Sequence, residues 1–165
     1  MIRIRPYIDS DQSDVLSWCS DEKTFYKWTA GVLGDYPMTA EKFCKTAEIM
    51  RFTAIDEDKP VGFFTLRNPG GKTNELRFGF VIVNPEKRGK GTGRQMIALG
   101  LKFVFDIYCA EKATIAVLET NTPAFRCYLS AGFCETGVKE EYSINGKTFC
   151  AVEMEYKKPY NNCVV

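Results

Sequence analysis

The sequence predicts an α/β fold of the α+β type, with a mixed central sheet of about seven strands and helices on both faces. The chain has 165 residues, 45% of them hydrophobic and 26% charged, which is typical of one folded domain spanning residues 1–165. Segments with the two-residue hydrophobic period of a strand alternate with segments of helical period. Their order is β-α-α-β-β-β-α-β-α-β-β, which predicts antiparallel strands at both ends of the chain and a parallel pair, joined by a helix, between them.

The first part of the chain is predicted to contain one strand and two helices. Residues 2–6 alternate apolar and basic side chains, as a half-buried strand does. Residues 9–20 and 39–49 have helical patterns, and each segment begins with a residue that can cap a helix. Residues 21–38 are rich in aromatic side chains and are interrupted by glycine and proline, so we expect an irregular segment there.

Three strands are predicted next, at residues 52–55, 61–66 and 75–83. A regular third strand divides its side chains between two faces: Leu76, Phe78, Phe80 and Ile82 on one, and Glu75, Arg77, Gly79, Val81 and Val83 on the other. Gly79 is either a position where this strand bulges and opens a gap or simply a weak point in its pairing, because glycine weakens regular pairing and often marks a bulge.

The remaining elements alternate helix and strand and end in a hairpin. Residues 93–108 are apolar on almost every helical face, which predicts a helix buried on more than one side. Residues 113–118 are a predicted strand, and the helix after it has proline at its first position and glycine after its end. Residues 135–143 and 147–156 are predicted to pair through Asn145-Gly146, a strong hairpin-turn signal.

Composition argues against several classes of function. The chain has 22 basic and 21 acidic residues, so nothing supports nucleic-acid binding. It has no histidine, which removes Ser-His and Cys-His nucleophile pairs and histidine-ligated metals. Its seven cysteines include no C-x-x-C pair, so we expect no metal and a reduced, cytoplasmic protein. No apolar stretch is long enough to span a membrane, and the N-terminus does not resemble a signal peptide.

The segment after the long central strand has the composition of an anion site. It leads from a strand into a helix through alternate glycines: Arg88, Gly89, Lys90, Gly91, Thr92, Gly93 and Arg94. Glycines let backbone N–H groups approach an anion closely, and a helix N-terminus adds partial positive charge. We therefore predict a phosphate or pyrophosphate site rather than a flexible turn. The spacing departs from the Walker pattern and from the Rossmann pattern, whose third glycine would fall on Arg94.

Two motifs in the chain resemble those of a known family. Arg88-Gly89-Lys90-Gly91-Thr92-Gly93 resembles the R/Q-x-x-G-x-G/A signature of the GNAT superfamily of N-acetyltransferases. Residues 121–133 resemble the family's second motif, N-x-x-A-x-x-x-Y-x-x-x-G-F. With the strands around residues 61–63 and 75–83, the resemblance covers nearly the whole chain.

The resemblance implies an acyltransferase that uses acetyl-CoA as its acyl donor. In the family the loop amides hold the pyrophosphate, and the pantetheine lies in a gap between the long strand and the next parallel strand, here against the backbone of Val81, Ile82 and Val83. The acetyl group passes directly to an amine in a ternary complex. The acceptor is either a small amine or a protein N-terminal amine. The alternative function is a module that binds acyl-CoA as a sensor without turnover. The oligomeric state is left undecided by the sequence, and a homodimer is one option because dimers are common in the family.

The resemblance also suggests roles for individual residues. Tyr128 matches the tyrosine that protonates the departing CoA thiolate, and a phenol can donate to a thiolate of similar basicity. Asn121 and Ala124 would line the cofactor groove, although Asn121 is equally suited to capping a helix. Glu75 is the predicted general base for the acceptor ammonium, with a solvated strand-end charge as the alternative. Glu119, at the end of the next parallel strand, is a second candidate.

The acceptor site is less well defined by the sequence. Aromatic side chains between residues 18 and 36, with neighbouring carboxylates that attract a cation, form one predicted wall. The hairpin at residues 142–147 forms the other. We expect half or more of these aromatic residues to be core side chains instead.

Overall fold

The computed structural model describes residues 1–144 and 146–158. Its strands are β1 (Arg3–Pro6), β2 (Met50–Asp56), β3 (Lys59–Arg67), β4 (Glu75–Val83), β5 (Lys112–Leu118), β6 (Cys134–Ile144) and β7 (Lys147–Lys157). Its α-helices are α1 (Gln12–Ser17), α2 (Glu22–Thr29), α3 (Ala40–Cys44), α4 (Thr92–Lys102) and α5 (Thr122–Ser130). The predicted fold class is confirmed, because seven strands form one mixed sheet with hydrophobic layers on both of its faces.

The sheet has the strand order β1-β2-β3-β4-β5-β7-β6, and only β4 and β5 run parallel. Their pairing is short: it begins at Glu75 with Lys112 and ends at Phe78 with Ile115. Beyond that point β4 continues along β3 as far as Val83, while β5 continues along β7. The two strands therefore separate at their carboxyl ends and leave a gap in the middle of the sheet.

Each face of the sheet carries its own hydrophobic layer. One layer joins α4 and α5 to the sheet and includes Phe78, Met96 and Phe133. The other joins α1, α2 and α3 to the first half of the sheet and includes Phe25, Trp28, Phe43 and Phe63, with several ring pairs in edge-to-face or tilted contact. Side chains at the end of β4 belong to both layers: Val81 and Val83 pack on the first, and Ile82 lies in the second.

The helix α2 lies within residues 21–38, where we expected an irregular segment, so that expectation was wrong. Asp21 caps the helix, because its carboxylate accepts hydrogen bonds from the backbone N–H and the hydroxyl of Thr24, both at 2.8 Å. Phe25, Trp28 and Thr29 have helical spacing and are buried. Tertiary burial of these aromatic side chains outweighs their modest helix propensity.

A β-bulge interrupts β4 next to Gly79, which is one of the two alternatives that the sequence left open there. Thr65 of β3 pairs with Gly79 and Phe63 pairs with Ile82, so a single residue of β3 faces Phe80 and Val81 together. Phe80 has a φ of 46°, in the left-handed region that non-glycine residues rarely occupy. Such a conformation costs on the order of 1–3 kcal/mol and persists only where its surroundings hold it.

The bulge overturns the predicted division of β4 into two faces. Before it, Leu76 and Phe78 face the α4–α5 layer, as expected. After it the alternation is reversed: Val81 and Val83 pack on that same layer, while Phe80 and Ile82 pack on the α1–α3 layer. One extra residue in a strand moves every later side chain to the opposite face, and no period-two pattern reveals it.

Helix α4 packs very closely on the sheet through Gly100. A Cβ atom at this position would lie 2.6 Å from Cε1 of Phe78 and 3.1 Å from Cζ of Phe64. The helix predicted for residues 93–108 ends as an α-helix at Lys102 and continues as one π-helical turn, Phe103–Ile107. The close contact fixes the distance of α4, and of the loop that opens it, from the end of β4.

Strands β6 and β7 pair antiparallel, as predicted, with Ser143 opposite Thr148 near the turn. The predicted turn is Asn145-Gly146, and Asn145 lies outside the described residues.

Replacing Gly100 by alanine tests the close packing of α4. Helix propensity alone would stabilise the protein by about 1 kcal/mol. The added methyl group overlaps a buried ring, however, so we expect a net loss of about 1 kcal/mol or more in the free energy of unfolding, measured by urea denaturation. The control is Ala98→Gly at an exposed position of the same helix, which reports propensity alone. A more stable Gly100→Ala protein would contradict the packing argument.

Candidate functional site

A cavity of about 700 Å³ opens at the carboxyl end of β4. It is bounded by the end of β4, the start of α4, helix α5, helix α2 and the loop before α4 that carries Gly89 and Gly91, called here the glycine loop. The predicted cofactor residues that line it are Val81, Ile82, Val83, Arg88, Gly89, Gly91, Gly93, Arg94, Asn121 and Ala124. Lys90, in the loop, and Thr92, the first residue of α4, do not line the cavity. The fold thus brings both predicted motifs to one site.

The glycine loop presents a row of free backbone N–H groups. Among the described residues, the amides of residues 89–94 have no hydrogen-bond acceptor, whereas the next amide, that of Gln95, donates to the carbonyl of Gly91. Gly91 is the N-cap of α4 and has a φ of 80°, which only glycine adopts without strain. The loop and the helix N-terminus together form a site suited to an anion.

Arg88 fastens this loop to the end of β4. Its Nε donates a hydrogen bond of 3.0 Å to the carbonyl of Val83. The Asn84 side chain caps the short turn that follows, accepting from the N–H of Glu86 at 2.9 Å. Arg88 therefore holds the loop in place and adds its charge to the cavity wall.

The cavity wall is strongly basic. Among the residues that the structure describes, its lining has a single carboxylate, Asp21, and five basic side chains: Lys23, Lys27, Arg88, Arg94 and Arg126. Three of these residues were not predicted from the sequence: Lys23 and Lys27 lie on α2, a helix that was not expected, and Arg126 lies on α5. The spacing of Pro123, Arg126 and Ser130 on α5 follows one helix face and could have revealed the last of them.

Tyr128 lies at the inner part of this wall. Only 5% of the residue is exposed, and its ring packs against Phe133 at a centroid distance of 6.2 Å. Its hydroxyl makes no hydrogen bond to any residue that the structure describes, and the residue lines the cavity. Burial raises the pKa of Tyr128 above its ordinary value, so the hydroxyl stays protonated at neutral pH. It can therefore act as a hydrogen-bond donor to a ligand.

Asn121 also presents a free side chain to the cavity. It is the N-cap residue of α5, but its side chain makes no capping hydrogen bond. The capping role that the sequence left open is thus not the role this amide has in the structure.

The two candidate bases lie elsewhere. Glu75 starts β4, about 20 Å along the strand from Val81. It is 6% exposed, accepts a hydrogen bond of 2.8 Å from Thr114 and forms an ion pair of 3.2 Å with Lys112. Glu119 forms an ion pair of 2.5 Å with Lys139 on the surface. Neither carboxylate lines the cavity.

Of the aromatic residues proposed for the acceptor site, several are core side chains. Trp18 and Phe25 are buried in the α1–α3 layer, and neither lines the cavity. Trp28 belongs to the same layer and also lines the cavity, where its indole N–H donates a hydrogen bond of 2.8 Å to the carbonyl of Phe80.

A model of the Acetyltransferase (GNAT) family matches residues 14–133. The chain belongs to this family. The family predicted from the two sequence motifs is therefore confirmed, and the glycine loop and the Asn121–Phe133 segment both lie inside the matched region.

Individual relatives include a spermidine N(1)-acetyltransferase of Vibrio cholerae, which is 37% identical over 68 residues. This match spans 41% of the chain and 39% of that relative's length. The crystal structure of a Vibrio cholerae spermidine N-acetyltransferase in complex with CoA and spermine has a TM-score of 0.77 at 21% identity, covering 94% of this chain and 95% of that one. A chimera of the Vibrio cholerae enzyme has a TM-score of 0.72 at 25% identity, covering 94% of each chain.

Two further findings concern the described residues alone. None of their helices combines the length and apolar character needed to cross a membrane. They also contain no group of three or more cysteine or carboxylate side chains placed to hold a metal ion.

A negative charge placed in the glycine loop should abolish anion binding. Gly91→Glu adds a carboxylate beside the free amides and strains a residue with positive φ, so we expect acetyl-CoA affinity to fall about 100-fold or more, measured by calorimetry. The matched control is Gly71→Glu, whose φ of 73° imposes the same strain at an open position away from the cavity. Tight binding by Gly91→Glu, or equal losses in both variants, would refute the assignment of this loop.

Proposed function

We propose that the protein transfers the acetyl group of acetyl-CoA directly to the amine of a small cationic acceptor. The observation that carries this proposal is a single cavity that joins a loop of free backbone amides, the unpaired edge of β4 and the protonated hydroxyl of Tyr128. Each of these features suits a different part of acetyl-CoA: the pyrophosphate, the pantetheine and the thioester sulfur.

The basic side chains of the cavity suit the anionic acyl donor, acetyl-CoA, rather than the cationic acceptor amine. The amides of residues 89–94 and the α4 N-terminus suit the pyrophosphate, while Arg126 and the lysines of α2 offer partners for the remaining phosphate. The edge of β4 that has left β5 offers backbone groups at Val81 and Val83 to the pantetheine amides, in the manner of an added strand.

The chemical step forms a C–N bond, breaks a C–S bond and moves one proton, in net terms, from the amine nitrogen to the sulfur. The lone pair of the neutral acceptor amine attacks the thioester carbonyl carbon, and a C–N bond forms as the carbonyl oxygen gains charge. The C–S bond then breaks, and the thiolate takes the proton of the Tyr128 hydroxyl. The new amide nitrogen releases its extra proton, which returns through water to the Tyr128 oxygen. Burial raises the pKa of Tyr128 and makes it a weaker acid, but the same apolar surroundings destabilise a thiolate, so the two groups remain matched.

The acceptor ammonium must lose a proton before it attacks. Asp21 is the cavity's one carboxylate among the described residues, and it is a poor base. Hydrogen bonds from the backbone and hydroxyl of Thr24 lower its pKa. Glu75 and Glu119 are held in ion pairs away from the cavity. We therefore assign the deprotonation to water rather than to Glu75.

The proposed chemical class of the acceptor amine is supported by the names of similar proteins. Proteins similar to this chain are named for spermidine, and one is in complex with spermine. A small polyamine-like amine is thus the acceptor we propose, and a protein N-terminal amine is the competing acceptor. A sensor that binds acyl-CoA without turnover has no use for a proton donor at Tyr128.

The function is tested first by binding and then by turnover. Calorimetry with acetyl-CoA, using ATP and NAD as controls, should show binding of acetyl-CoA alone. Release of free CoA is then followed with spermidine, spermine, other small amines and N-terminal peptides. Thiol release with polyamines supports the proposal, and release with peptides only moves the acceptor to protein N-termini. Binding without turnover on any amine favours the sensor, and no binding refutes the function.

Removing the Tyr128 hydroxyl should slow turnover without weakening the cofactor complex. We expect Tyr128→Phe to lower kcat about 100-fold while the Kd for acetyl-CoA changes little, because the hydroxyl acts on the leaving group. The raised pKa predicts that this factor is constant between about pH 7 and pH 10, since Tyr128 does not ionise there. The control is Tyr156→Phe, which also contacts Phe133 but does not line the cavity. Equal losses of kcat and affinity would assign Tyr128 to positioning instead.

The Glu75→Gln variant tests whether the Glu75 carboxylate stabilises the fold or acts as the catalytic base. The amide can still accept from Thr114 but loses the ion pair with Lys112. We expect the free energy of unfolding to fall by about 1–3 kcal/mol, with kcat within about twofold of wild type. A large loss of kcat in a stably folded variant would restore Glu75 as the base.

A further inference from the structure

The hydrogen bond from Trp28 to Phe80 joins helix α2 to the bulge in β4. The donor is the indole Nε1–H and the acceptor is the backbone carbonyl of Phe80, at 2.8 Å. Trp28 is only 6% exposed and packs against Phe43 and Phe63, so its ring is fixed from several sides. The acceptor belongs to the residue whose φ of 46° makes the bulge.

The Phe80 carbonyl shares one rigid peptide plane with the N–H of Val81. In a trans peptide these two groups point in opposite directions. A bond that holds the carbonyl towards α2 therefore holds the N–H of Val81 away from α2. Val81 lies in the bulge, where the β3 register skips it, and it lines the cavity.

We propose that Trp28 is a positioning residue, whose indole N–H sets the Phe80–Val81 peptide so that the Val81 N–H points at the thioester oxygen. This proposal rests on the proposed function. The proposal also accounts for the strained backbone at Phe80. Left-handed backbone at a bulky residue is stable only when a neighbour fixes it, and it is commonly found where a backbone group is aimed at a ligand. A donor fixed before the reaction stabilises the charge that develops on the carbonyl oxygen.

The role differs from that of an ordinary cavity wall or core tryptophan. Packing would be served by any ring of similar size at position 28, whereas the proposed role needs the N–H. Trp18 offers a matched comparison, because it is buried in the same layer and does not line the cavity.

The first test compares Trp28→Phe with Trp18→Phe. We expect Trp28→Phe to lower kcat with spermidine about 10- to 100-fold, the effect typical of a misplaced reacting group. Its Kd for CoA should stay within about threefold of wild type, because the pyrophosphate loop is untouched. Trp18→Phe should retain the wild-type kcat. A fall in kcat that is equal in both variants would indicate general loosening of the layer and overturn the proposal.

The second test removes only the N–H. Site-specific incorporation of 3-benzothienylalanine at position 28 replaces the indole nitrogen by sulfur and keeps the shape of the ring, so folding and packing are preserved. We expect kcat to fall as in Trp28→Phe. Wild-type kcat in this variant would overturn the proposal whatever the phenylalanine variant does.

A readout that needs no acceptor separates this proposal from the proposed function. The C=O stretch of acetyl-CoA labelled with ¹³C in the carbonyl is recorded on the bound thioester by infrared difference spectroscopy. Loss of an aimed N–H donor should move the band to higher frequency in the benzothienylalanine variant, and Trp18→Phe should match wild type. An unchanged band overturns the positioning role alone, whereas failure of the wild-type protein to bind acetyl-CoA removes both proposals.

Discussion

The separation of β4 from β5 is the constraint on which the rest of the site depends. A continuous parallel pair would fill the hydrogen-bonding edges of both strands and leave no room between them. The extra residue at Phe80–Val81 turns the backbone of β4 while its pairing with β3 resumes at Ile82. Pairing with β5 ends at Phe78, immediately before the bulge. The sheet thus keeps one edge of β4 satisfied and leaves the other open to a ligand.

The layers on either side of the sheet keep this open edge in position. Helix α4 approaches closely because Gly100 carries no side chain, and its N-terminus then lies beside the end of β4. Helix α2 approaches from the opposite face and contributes both the indole bonded to Phe80 and two lysines of the cavity wall. The anion site is therefore assembled from three elements that are distant in the chain.

The sequence predicted those parts of the fold and site that depend on local chemistry. The glycine loop, the helix it opens and the Asn121–Tyr128 segment are runs of neighbouring residues whose residue types suit their backbone roles, and the structure brings them to one cavity. The β4 side-chain faces were mispredicted beyond Gly79, because the position of a bulge depends on the partner strand. Helix α2 was missed because its stability comes from packing on the sheet rather than from its own propensities.

Glu75 shows, at a single residue, the difference between what the sequence predicts and what tertiary packing decides. Its type and its place on the central strand suggested a base, but only the folded chain sets Lys112 and Thr114 beside it at the end remote from the cavity. By itself the sequence determined the family and predicted a class of ligand and the segments expected to bind it, since these depend on backbone conformation and charge within short stretches. The tertiary structure alone decided which carboxylates are neutralised, which cations converge and where β4 opens. Those properties depend on distances between segments that lie far apart in the chain.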